Sequence, residues 1–369
     1  MTEKNIIVNP SMTMDKIQSY LKKNGCTIKF TKGTYNIVKT LTLYSNTTII
    51  LDKATLIRKT SSHIFRGYLN PNISYNYNAV QNITISGGIL IGDGVKKTGS
   101  IFGFMHGNNI LIKDMQIKNV YKSHGFDLCA CKNVTLKNIK FSGKIIDQKT
   151  YYKEEIQYDF AYTYGYPYYS KNAKVYNNNH CENILIDSCD FADANYCIGT
   201  HTETSSNKKH KNIQVINCTA NGCILKGDGS FIKIINTDGF TIRNNTIKGF
   251  TRAISVLSCS KFYSANGTKS TTSPNSKSGS NNVEIINNNI LNAKGNVKSA
   301  GVYITSKFVN LIHANINISG NQFLLNNNYA KNDIDVSNAK NVVIENNVTK
   351  LDIKVDTDTT DNVKYLQLL

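Results

Sequence analysis

The sequence predicts an all-β solenoid: a right-handed parallel β-helix of roughly ten to twelve coils, started by a short capping helix. Three observations carry this. Ten segments share one cadence, a polar residue followed by two apolar residues separated by one residue, as in Asn82-Ile-Thr-Ile, Asn109-Ile-Leu-Ile, Asn183-Ile-Leu-Ile and Asn341-Val-Val-Ile. The cadences start at positions 46, 82, 109, 133, 183, 212, 239, 282, 315 and 341, with Asn at all but Gly239, and most steps are 24 to 36 residues long. The apolar period within each segment is two, with Ile and Val dominant, which is the pattern of a strand and not of a helix.

The elements follow in order. Thr13 to Lys23 reads as an amphipathic helix with Thr13 as N-cap and Met14, Ile17 and Leu21 on one face. A solenoid needs a plug over its first apolar coil, so residues 1–26 are assigned to a cap and 27–369 to the coils. Gly25 stops the helix, and strands are expected at Thr27–Phe30 and Tyr35–Leu43. Two insertions interrupt the period. Residues 144–180 hold nine of the 21 tyrosines, and residues 260–281 form a Ser/Gly/Asn loop. Insertions in solenoids gather on the binding face, and tyrosine suits sugar rings. The abundant asparagines are expected to form buried ladders, because Asn tolerates the left-handed backbone region and bonds its own main chain.

The net charge is +18, from 43 Lys and Arg against 25 Asp and Glu. The charges are scattered without a basic run, which disfavours nucleic acid and favours an anionic polysaccharide partner. Nine cysteines include no C-x-x-C pair, so small buried thiols stacked between coils are expected, with no metal site and no cofactor. There is no apolar signal region and no membrane span. Synthesis in a reducing cytoplasm is expected, with release to a cell surface or carriage on a virion.

The candidate site comes from strand alternation. Inward Phe126 and Leu128 put Asp127 outward. Inward Ile156 and Tyr158 put Glu155, Gln157 and Asp159 outward, and inward Ile198 and Thr200 put His201 outward. Registering those coils sets Asp127 beside Gln157 and His201 beside Asp159, on an exposed acidic face of a basic chain. The diagonal from Asp127 to Asp159 is then about 8 Å, within the carboxyl spacing of an inverting glycosidase. One carboxylic acid would protonate the leaving oxygen and a second carboxylate would activate water. His201 would orient Asp159, while Gln157, Tyr162, Tyr166, Lys233 and Arg252 would bind substrate, the cations taking its anionic group.

The chain resembles the pectate-lyase-like superfamily of right-handed β-helices, which includes phage tail depolymerases and polygalacturonase-type hydrolases. Gly33-Thr-Tyr in the run from Thr31 to Leu51 is similar to the family's opening coil. The segments around Glu155–Asp159 and Gly199–His201 are similar to those of phage and Gram-positive members. The family's paired Asp-Asp is absent, and Arg252-Ala-Ile does not match its Arg-x-Lys. The resemblance implies a polysaccharide-degrading enzyme, first a glycoside hydrolase on an anionic cell-surface glycan. A lyase using His201, Tyr162 and Arg252 is the alternative, and a non-catalytic glycan-binding spike or adhesin the competitor from another class. Some relatives bind Ca²⁺, and spike-like ones commonly form homotrimers.

Overall fold

In a computed structural model, residues 4–366 are described except 24, 148, 151, 164, 201–202, 205–207, 223–228, 259–261, 264–268, 271–277, 295–298 and 307–310. The strands wind into a parallel solenoid with a long sheet of 19 strands and a second sheet of 11. The second sheet takes one strand from each successive coil, from Leu41–Leu43 through Phe126–Cys129, Ile156–Asp159 and Tyr196–Gly199 to Asp352–Val355. Each coil's apolar residues meet those of the next in a continuous core, so phenylalanines stack along the axis. Phe102 and Phe126 lie 4.7 Å apart at 5°, and Phe141 and Phe191 lie 4.8 Å apart at 3°.

All ten cadence residues sit at positive φ, from 49° at Asn212 to 79° at Gly239. Asn and Gly are the residues that take this conformation at least cost, so the cadence marks the bend that opens each coil's strand in the long sheet. Their amides form a ladder, with Asn82 Nδ2 donating to Asn46 Oδ1 and Asn109 Nδ2 to Asn82 Oδ1, both at 2.7 Å. That ladder is exposed, contrary to the expected burial, because the bend turns its side chains to solvent.

A second Asn ladder is buried. The Oδ1 atoms of Asn288, Asn321 and Asn347 each accept both the backbone and side-chain N–H of the preceding rung, at 2.9 to 3.0 Å. Thiols continue this column upstream. Cys218 Sγ accepts from Cys189 N at 3.4 Å, and Cys218 N donates to Asn245 Oδ1 at 2.8 Å. A parallel column runs from Cys131 N to Cys181 Sγ, and from Cys181 N to His210 Nδ1. The cysteines among the described residues are free and buried, as the stacked-thiol expectation requires.

The helix spans Met14–Leu21, with Thr13 Oγ1 accepting from Lys16 N and Ile17 and Leu21 buried. It covers the first strand of the second sheet: Gln18 Nε2 donates to Thr42 O at 2.9 Å and Gln18 Oε1 accepts from Thr42 N at 2.7 Å. This satisfies an edge that would otherwise offer itself for pairing. A strand at Lys4–Val8, not anticipated in the cap, pairs with Cys26–Phe30. The expected strand over Tyr35–Leu43 is two, Gly33–Ile37 and Leu41–Leu43. No helix among the described residues is long and apolar enough to cross a membrane. The insertion at 260–281 lies largely outside the described residues.

Candidate functional site

One file of residues runs along the outer face of the second sheet: Arg66, Gly103, Asp127, Gln157, Gly199, Lys233, Ser255 and Tyr303, each paired with the next. The expected register of Asp127 beside Gln157 is therefore present. Two residues further along the strands, Cys129 pairs with Asp159. His201 lies outside the described residues, and the pairing of its strand is described as far as Gly199.

Glu155 does not join this face. At the start of each strand two consecutive residues point inward: Ile64 with Phe65, Ile101 with Phe102, Cys197 with Ile198, Phe231 with Ile232, and Ala253 with Ile254. The chain turns a corner there, and alternation slips by one. Glu155 occupies the inward corner position. Its Oε2 is 3.3 Å from Lys144 Nζ, with both side chains at most 1% exposed. Burial pushes the Glu155 carboxyl up and the Lys144 ammonium down, while their mutual attraction opposes both shifts. Lys144 also donates to Ser123 O at 2.9 Å and Glu154 O at 3.0 Å.

The slip places Glu154 outward in its stead. Glu154 Oε1 is 2.8 Å from Lys233 Nζ, and its backbone oxygen lies 2.8 Å from His124 Nδ1. Strict alternation from Ile156 missed Glu154. The signal that identifies it is the run of apolar doublets at the equivalent position of neighbouring coils.

The acidic cluster is thus Asp127, Glu154 and Asp159. It is covered, in correction of the exposed face expected from sequence: Asp127 is 4% exposed, Gln157 2%, and Glu154 and Asp159 0%. The cover is the tyrosine segment following Phe160. Gly165 O accepts from Cys129 Sγ at 3.3 Å and Gln157 Nε2 at 3.5 Å. Tyr162 Oη donates to Asp159 Oδ2 at 3.3 Å, and Tyr166 is buried over Gly103. Tyr166, Val175 and Tyr176 pack with Leu69, Tyr75 and Met105 in a small apolar cluster of their own. Tyrosines placed as sugar platforms by sequence are largely interior here, because the insertion folds back onto the sheet.

Asp159 is held by several donors: Phe160 N at 2.9 Å, and Gln157 Nε2, Tyr162 Oη and Thr200 Oγ1 at 3.3 Å each. Among the described residues Asp127 accepts only from the weak Cys129 thiol, at 3.6 Å. Burial pushes Asp127 up to about 8; Lys153 pulls it down, and Asp159 and Glu154 add to the rise. Asp127 therefore keeps its proton at neutral pH, whereas Asp159 has the donor set of a carboxylate. Two carboxyl groups of one cluster thus sit in environments that favour opposite protonation states.

Arg252 stands apart. Its guanidinium carbon is 4.3 Å from the centroid of Tyr303, its Nε donates to Ser299 Oγ at 2.8 Å, and it lies three strands beyond Glu154, about 14 Å along the axis. Lys233 is nearer, 5.0 Å from the Tyr196 ring as well as bonded to Glu154. Among the described residues, no group of three or more His, Cys, Asp or Glu could hold a metal ion.

No protein-family model matches the chain. Plasmin and fibronectin-binding protein A of Streptococcus pneumoniae is 25% identical over 226 residues, 52% of this chain and only 31% of that protein's length. The crystal structure of this surface adhesin superposes with a TM-score of 0.64 at 18% identity, covering 96% of this chain and 85% of the other. The family 28 exopolygalacturonase of Yersinia enterocolitica superposes with a TM-score of 0.63 at 13% identity, covering 98% of this chain and 78% of the other. These likenesses establish a right-handed parallel β-helix as the fold.

Proposed function

We propose that this β-helix acts on a polysaccharide as a glycoside hydrolase, with Asp127 as general acid and Glu154 as the carboxylate that activates water. The observation carrying the reading is a buried Asp127, raised to about 8, in one cluster with Asp159 and Glu154 of the next coil, Glu154 Oε1 lying 2.8 Å from Lys233 Nζ. Asp127 delivers its proton to the leaving glycosidic oxygen. Asp159, fixed by its donors, stays a negative neighbour that keeps Asp127 protonated until substrate arrives. Lys233 fixes the Glu154 carboxylate and contributes positive charge beside it, which suits an anionic sugar. The basic chain draws such a polymer in from a distance. Substrate reaches the carboxylates by displacing the tyrosine cover. The exopolygalacturonase likeness supports this at the level of fold.

A second reading has an observation of its own. The carboxylates lie beneath a packed cover, and the adhesin superposes as well as the enzyme does, which favours a non-catalytic surface-binding protein. Incubating the protein with a panel of acidic and neutral glycans separates the two, with new reducing ends and unsaturated uronate absorbance followed together. Reducing ends alone, lost in Asp127→Asn and Glu154→Gln, support hydrolysis. Absorbance rising with them indicates the lyase. Retention on one glycan, equal in parent and both variants and without turnover, leaves the adhesin.

A further inference from the structure

A buried imidazole beside the carboxylates has no role in the reading above. His63 is fully buried, and burial, aided by Arg66 and Arg58, lowers it to about 3, so the ring is neutral. Its Nδ1 lies 3.2 Å from Ser62 Oγ, while among the described residues Nε2 meets no hydrogen-bond partner. Buried polar atoms of this kind are few in folded proteins, and each asks for a physical reason.

Nε2 points to a specific place. A Cβ built on Gly103 would lie 2.4 Å from His63 Nε2 and 2.7 Å from Tyr166 Oη. The two polar atoms are thus no more than about 5 Å apart, and only glycine lets them come so close to the backbone. Gly103 is the in-register neighbour of Asp127, with Arg66 on its other side. Asp127 also acts on the Tyr166 hydroxyl, which burial and that carboxyl together push far up. The imidazole and phenol rings lie nearly parallel, 18° apart with centroids at 5.9 Å, so both present their edges to the same point.

We propose that His63 is a positioning residue for Asp127: its Nε2 accepts from the Tyr166 hydroxyl through one water, and the Tyr166 oxygen in turn accepts, likewise across water, from the proton held by Asp127. The Nδ1–H tautomer, donating to Ser62 Oγ, leaves Nε2 as the acceptor this chain needs. The relay ends on a neutral ring that stays uncharged, so it stabilises the protonated carboxyl and aims its proton along the file. This rests on Asp127 being the acid of the proposed reaction, yet its test needs no substrate. Cys129 on its own strand, Lys153, Glu154 and Asp159 on the next coil, and Tyr166 and Tyr168 in the cover also face Asp127, with Arg66 beyond Gly103. All are left in place by substitution of His63.

The experiment is carbon-13 NMR titration of the aspartate carboxyls in the full chain, with Asp127→Asn assigning the resonance. His63→Phe keeps the ring shape and removes Nε2; His63→Gln keeps an acceptor. The expected result is an Asp127 midpoint lowered by about one pH unit, a tenfold weaker hold on the proton, in His63→Phe and restored in His63→Gln. Tyr166→Phe reads the same relay from its middle and should lower the midpoint in step, which covers failure of a ring variant to fold. An unchanged midpoint in Tyr166→Phe, or equal shifts in both His63 variants, overturns the proposal. A protein that shows the shift but cleaves no glycan retains the relay and loses only the hydrolase reading.

Discussion

Replacing Glu155 by Gln separates a structural glutamate from a chemical one. Glu155 and Lys144 face each other at 3.3 Å with no more than 1% exposure on either side chain, and Lys144 Nζ otherwise meets backbone carbonyls. Removing one partner of a buried pair strands the other charge, at a cost of about 3–5 kcal/mol. Burial already pulls the Lys144 ammonium down, so it sheds its proton in the variant and the cost falls toward the lower figure. For the same reason the loss shrinks as pH rises. Lys144→Met combined with Glu155→Gln should recover much of it, since no charge is left inside. Glu154→Gln differs: Lys233 is 13% exposed and can turn to water, so the loss is about 1–2 kcal/mol. Urea unfolding followed by circular dichroism measures all four proteins, with glycan turnover assayed in parallel. Wild-type stability with abolished turnover in Glu155→Gln, and retained turnover in Glu154→Gln, would refute the assignment of the two residues.

Asp127 is raised from 3.8 to about 8 on folding, so the folded protein binds this proton more tightly; its contribution is complete below pH 4 and is lost as pH climbs through 8. That loss is on the order of 6 kcal/mol at about 1.4 kcal/mol per unit, and Asp127→Asn should flatten the fall of melting temperature between pH 4 and 8. Asn288→Ala removes a rung that accepts from Asn245 N and Nδ2 and donates to Ile242 O and Asn321 Oδ1. At about 1 kcal/mol per bond it should cost about 3–4 kcal/mol in urea unfolding, whereas Asn315→Gly, which keeps the left-handed backbone and removes only exposed amide bonds, should cost under about 1 kcal/mol. Lys233→Met should weaken retention on an anionic glycan at low salt by about tenfold while leaving retention on a neutral one unchanged, as affinity electrophoresis would show.

The amino-acid sequence by itself determined the coil. A period-two apolar pattern restarted by an αL-tolerant Asn or Gly allows one winding, because each restart must bend the chain and each bend must stack on the last. The same pattern placed Asp127 beside Gln157, since in-register pairing of the inward Phe126 and Ile156 leaves no other partner. What lies beyond the strand is decided by tertiary structure. Whether Glu154 or Glu155 faces outward depends on a corner where alternation slips, and that corner belongs to the packing of neighbouring coils, shown by pairs such as Phe231 with Ile232. Whether the acidic face is open or covered depends on where a tyrosine-rich insertion folds back, which no local period encodes. The proton on Asp127 comes from that cover: an exposed aspartate on the same strand would ionise, and only desolvation beside Asp159 makes it an acid at neutral pH.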